Sequence, residues 1–169
     1  MTSSRLQVAD RRNRQRRGWS AYVRELGRVC NLDTGRVRLL GAEESLDFEK
    51  RLFDSTRSGF ADGTIRRRVE VTGGELGRVI ADALGALSLR DTIVAPVKSM
   101  EFAFAVESTP NPEQLRRLVL LDGDSVFVVS PDLQRGMGID LYESETRSGM
   151  CFEVSVWPPA IPGARRTGG

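Results

Sequence analysis

The chain has 169 residues, 40% hydrophobic and 28% charged, with a formal net charge of +2 and not one histidine. That is the size of one domain, and the composition is globular rather than disordered. The missing imidazole excludes Ser-His-Asp and Cys-His nucleophile systems, histidine-ligated zinc and the usual general base near neutral pH. Any chemistry would have to run on carboxylates, arginine, tyrosine or a carboxylate-bound hard metal.

Charge is segregated along the chain. Residues 1–30 carry a balance of +6, residues 31–100 balance to zero, and residues 101–169 carry −4. Only Lys50 and Lys98 among the 25 basic residues are lysine, the mark of a GC-rich bacterial coding bias.

Residues 1–17 contain Arg11, Arg12, Arg14, Arg16 and Arg17 and few apolar anchors. They read as a flexible arginine-rich arm or a solvated helix extension, and their composition suits contact with phosphates. Packing is expected to begin at Trp19, where Trp19, Tyr22, Val23, Leu26 and Val29 form the stripe of an amphipathic helix. Residues 31–35 stop it and 36–40 suit a short strand. A second helix is predicted over 42–57, with acidic residues early and basic ones late, as the helix dipole favours. Ile65 to Val71 reads as a strand. Thr72-Gly73-Gly74-Glu75 then matches a capping box ahead of a helix over 73–88. The glycine pair there also has a weak likeness to a phosphate loop, but no nucleotide-binding pattern surrounds it.

From Met100 the apolar period changes to two. Met100 to Glu107, Leu118 to Leu121, Val126 to Val129, Ile139 to Glu143 and Cys151 to Trp157 are predicted strands. A helical turn is allowed at 112–116, and Asp122-Gly-Asp-Ser125 is read as a hairpin turn. Short loops make successive strands antiparallel. The expected fold is therefore α+β, with N-terminal helices packed on a C-terminal antiparallel meander that has one covered face. One domain spans 18–157, followed by a disordered Pro/Gly-rich tail over 158–169.

The N-terminus shows no apolar core of a signal peptide, and no run approaches a membrane span. A cytoplasmic protein is expected, with Cys30 and Cys151 free and no bound cofactor. Asp122 and Asp124 resemble paired metal-binding carboxylates, but the calcium-loop spacing is absent and a turn requires the same residues, so no metal is expected. With Asp132, Asp140, Glu143 and Glu145 they form a candidate acidic surface for docking a basic protein.

The favoured reading is a non-catalytic binding domain. In architecture alone it looks like bacterial toxin-immunity proteins, which are small, soluble and usually acidic at the blocking face. The alternatives are a nucleic-acid-associated protein using Arg11–Arg17, and an enzyme running on carboxylates with or without a divalent metal. The last five residues, Arg165 to Gly169, resemble the diglycine end of ubiquitin-like modifiers, although the helix-rich first half departs from that family's compact fold.

Overall fold

Helix α1 runs from Ser3 to Cys30. Its C-terminal half buries Leu26 and Cys30 and packs Trp19, Tyr22, Val23 and Val29 against the core. The same side of the helix continues toward the N-terminus in polar residues. Gln15 donates to the carbonyls of Leu40 (2.9 Å) and Glu101 (2.8 Å). Arg11 donates to Ser45 Oγ (2.8 Å) and pairs with Glu49. Arg11 and Gln15 are both buried. Of the two expectations for residues 1–17, the helix extension is what residues 3–17 form, and the flexible arm is corrected. Residues 3–17 are helical, and they dock through hydrogen bonds rather than apolar contacts, which a search for hydrophobic periodicity cannot detect.

The computed structural model describes residues 3–63, 65–89, 91–143 and 150–157. After α1 come β1 (Val37–Leu39), α2 (Ala42–Asp62), β2 (Arg66–Thr72), α3 (Gly73–Leu87), β3 (Thr92–Pro96), β4 (Phe104–Val106), α4 (Pro112–Asp122), β5 (Ser125–Val129), β6 (Gly136–Glu143) and β7 (Met150–Trp157). Short 3-10 turns occupy Thr34–Arg36 and Met100–Phe102. The tail over 158–169, its terminal diglycine included, lies outside the described residues. Among them, no helix is long and apolar enough to cross a membrane.

The seven strands form one sheet in the order β1-β4-β3-β5-β6-β7-β2, and every pairing is antiparallel. The fold is α+β as expected, with β5-β6-β7 a true meander. Three details of the expected sheet are corrected. Both edge strands, β1 and β2, come from the first half of the chain. The strand expected over 100–107 is shorter, because Met100–Phe102 forms a 3-10 turn before β4. Leu118–Leu121 is helical, belonging to α4. There Leu115, Leu118, Val119 and Asp122 recur at helical spacing and are all buried. Asn111 and Gln114 cap α4 reciprocally, each amide donating to the other's side-chain oxygen at 2.9 Å, and Pro112 occupies the first turn. The helix ends at Gly123 with φ 73°, so Asp122-Gly-Asp124 is a helix terminus and not a hairpin turn.

β3 is the element the sequence reading missed. All five of its residues are buried, so it shows no alternation of polar and apolar positions.

The two faces of the sheet differ. On the first, α1, α3 and α4 bury Val94, Phe104, Val126, Val128, Met137, Ile139, Phe152 and Val154. On the second, α2 lays Phe48 and Leu52 over Ile93, Ala95, Val129 and Trp157. Helix α2 packs over β3, β5 and Trp157 of β7, and further along the meander Phe127, Asp140, Tyr142 and Glu153 stay partly exposed. That open part holds the candidate site.

Candidate binding cavity on the open sheet face

Register across the meander assembles the cavity. Asp140 on β6 stands opposite Ser125 on β5 and Glu153 on β7, while Gly138 stands opposite Phe127 and Ser155. Residues on β6 alternate between faces, so Met137, Ile139 and Leu141 enter the first core while Gly138 and Asp140 fall on the second face. Phe127, Asp140, Glu153 and Ser155, together with Thr56 and Phe60 from the end of α2, enclose a cavity of about 340 Å³. That is the lower end of the range for sites that hold a small molecule or a single inserted side chain.

Gly138 shapes one wall. A Cβ built there would lie 2.9 Å from Phe127 Cε1, so the ring occupies space that only glycine leaves open. Trp157 supports the same ring edge-on, with centroids 6.2 Å apart. Across the cavity, Phe60 is an exposed ring beside the acidic strands.

Two polar groups in this cavity lack partners among the described residues. Asp140 is half-buried, and its carboxylate makes no hydrogen bond or ion pair. Ser155 is 2% exposed, and its hydroxyl oxygen is buried without a hydrogen-bond partner. A buried hydroxyl with no partner costs about 1–3 kcal/mol, and such groups are rare in folded proteins.

Asp122, Asp124 and Asp132 do not share this surface. Asp122 is 4% exposed, with one carboxylate oxygen accepting from the Lys98 amide (3.1 Å) and the other unpartnered. Burial raises its carboxyl above the ordinary range. Its place on a solvent-facing docking surface is therefore corrected, because helical spacing turns it inward with Leu115, Leu118 and Val119. The nearby Tyr22 hydroxyl is likewise buried and unpartnered, and burial, aided by the Asp122 charge, pushes its phenol upward. Asp132 caps its own loop, accepting from the Ser130 hydroxyl and the Gln134 amide, and these bonds hold it below the usual carboxylate range. Asp124 is exposed and accepts from Ser125 Oγ at 2.9 Å. Glu143 ends β6 opposite Met150, and Glu145 lies outside the described residues. Of the four whose side chains are described, Asp122, Asp124, Asp132 and Asp140, only Asp140 lines the cavity. Glu153, Ser155, Phe127, Phe60 and Thr56 were not singled out from sequence. The alternation of Glu153 and Ser155 against Phe152, Val154 and Val156 was the available signal.

The arginine group is divided too. Arg11 is buried against Ser45 and Glu49, which corrects its assignment as a phosphate contact. Arg14 pairs with Asp10 (2.7 Å), and Arg12, Arg16 and Arg17 are exposed. A larger groove of about 950 Å³ lies between α1 and α2, and it is lined by Arg5, Arg11, Arg12, Arg14 and Lys50 together with Asp10, Glu43, Asp47 and Glu49. Its walls therefore carry no dominant sign of charge. Among the described residues no group of three or more His, Cys, Asp and Glu side chains is placed to hold a metal ion.

No family model matches the chain, and neither a curated protein nor a solved structure matches it.

Proposed function

We propose that this chain is a non-catalytic protein-binding domain that docks a basic partner on the open part of its second sheet face. A cationic group of the partner sits against Asp140. On this reading it acts in the cytoplasm like a toxin-immunity or inhibitor protein. The observation that supports it is the pairing, in one cavity, of the partnerless Asp140 carboxylate with the partnerless Ser155 hydroxyl. Both can accept hydrogen bonds that no other described side chain supplies, and a cationic donor can satisfy both. The flanking Phe60 and Phe127 rings add apolar area at the centre of such a contact, where binding energy concentrates.

A fluorescently labelled peptide of alternating glycine with arginine and lysine tests this by anisotropy. Binding is expected at low salt, weakening as salt rises, and Asp140→Lys should lower affinity about tenfold or more. Absence of binding, or binding indifferent to Asp140→Lys, would refute the proposal.

The in-register pair Asp140 and Glu153 favours a second reading, since two carboxylates in one concavity are a minimal acid–base set. Turnover of chromogenic glycosides or phosphoesters that disappears in Asp140→Asn would establish it in place of the binding reading.

A further inference from the structure

The cavity has a shape and donor requirement specific enough to name the group it takes. We infer that it is an arginine pocket, built to seat one guanidinium of the partner chain. This inference rests on the docking reading above and narrows it.

Both partnerless groups can accept from a donor. The Asp140 carboxylate is acceptor-only when ionised, and the Ser155 oxygen is unfilled. The two lie on neighbouring strands two residues out of register, since Ser155 is opposite Gly138 and Asp140 follows two residues later on the same face. A ligand with several donors spread along one plane can reach both, and guanidinium presents five N–H groups in a rigid fork. An ammonium can also bond a carboxylate, but it is a compact point charge that keeps its hydration more strongly. A hard metal cation wants six or more oxygens, and this cavity offers too few.

The walls point the same way. Phe127 is held against β6 by the space over Gly138 and by Trp157, which fixes its plane before any ligand arrives. Phe60 stands at the cavity's rim, 41% exposed. Flat aromatic surfaces favour the flat guanidinium by stacking and by cation–π attraction. With the site already shaped, little ordering is required on binding.

The test is an NMR titration of the full chain with N-acetyl-arginine amide and, separately, N-acetyl-lysine amide. Arginine amide should give saturable shifts at the backbone amides of Phe127, Asp140 and Ser155. Its affinity should exceed that of lysine amide by about fivefold or more. Asp140→Asn should abolish saturation. Ser155→Ala should weaken arginine amide about threefold to tenfold, as loss of one hydrogen bond to a charged group implies. Phe127→Leu should bring the two ligands close to parity. Asp124→Asn, outside the cavity, should change nothing, and each variant's unbound spectrum reports whether it folds.

Equal affinity for the two amides, with binding still lost in Asp140→Asn, would overturn the arginine assignment and leave the docking reading standing. Shifts that never saturate, or that map away from β5–β7, would overturn the pocket. If in addition the mixed basic peptide fails to bind, the docking reading falls with it.

Discussion

The two faces of the sheet solve different problems. The first is closed over by three helices and is almost entirely apolar, with Leu76, Ile80, Leu115, Leu118, Val126, Val128 and Ile139 all at 0% exposure. The second is covered by α2 only in part. There glycines replace bulk and rings lie against backbone, and polar groups stand where apolar ones would fit. Stability resides on the first face, while the second gives up some of it to hold a cavity. A protein optimised for stability alone would fill such a cavity and pair its polar groups.

The sharpest contrast is in the response to lost volume. Leu118→Ala, on the closed face, should destabilise by about 2–5 kcal/mol, read by denaturant unfolding, because packed neighbours on α4 and the sheet cannot collapse into the gap. The second face should respond instead to added volume. A Cβ at Gly136 would fall 2.5 Å from Val129 Cγ1 and 2.6 Å from Trp157 Cζ2. Gly136→Ala should therefore cost about 1–3 kcal/mol and perturb the Trp157 fluorescence. A Gly136→Ala protein as stable as wild type would mean that this face is not packed ring against backbone, and the contrast would fail.

Asp122 breaks the apolar rule of the closed face and should report it through pH. Burial raises its folded pKa above the unfolded value, so the folded state binds the proton more tightly. Its contribution is then most favourable below the unfolded pKa and declines as pH rises through the folded pKa. Asp122→Asn keeps an acceptor for the Lys98 amide and removes the buried charge. Melting curves should show the variant gaining on wild type at pH 7, with a smaller gain at pH 3. A variant less stable than wild type at pH 7 would mean that the carboxylate is stabilised by contacts other than those seen.

The sequence made part of this contrast readable. Helical spacing located α3 and the apolar half of α1, and apolar or alternating runs bounded by turn residues located β5, β6 and β7. Both failed where those signals were missing. β3 is buried on both faces, and the first half of α1 docks through Arg11 and Gln15, whose polarity looks like solvent exposure. The run Leu118–Leu121 was ambiguous for a different reason: four apolar residues fit a strand as well as a helix. Asp140 emerged as a candidate only through the count of acidic residues in its region. Its neighbours Ser155 and Phe127 are distant in sequence and meet it only through the β5-β6-β7 register and the reach of α2. The pairing of Asp140 with Glu153 was derivable in principle from the alternation along β6 and β7, since both fall on the side away from Ile139, Phe152 and Val154. The cover that α2 gives to only part of the second face was not.

The most direct measurement compares two charge reversals of equal sign, one inside the cavity and one outside it. Asp140→Lys and Asp124→Lys change net charge identically, but only Asp140 lines the cavity. Affinity for the mixed arginine–lysine peptide at fixed salt should fall about tenfold or more in Asp140→Lys and by less than about twofold in Asp124→Lys. Equal losses in the two variants would show that binding follows overall charge and would contradict a site at the open sheet face.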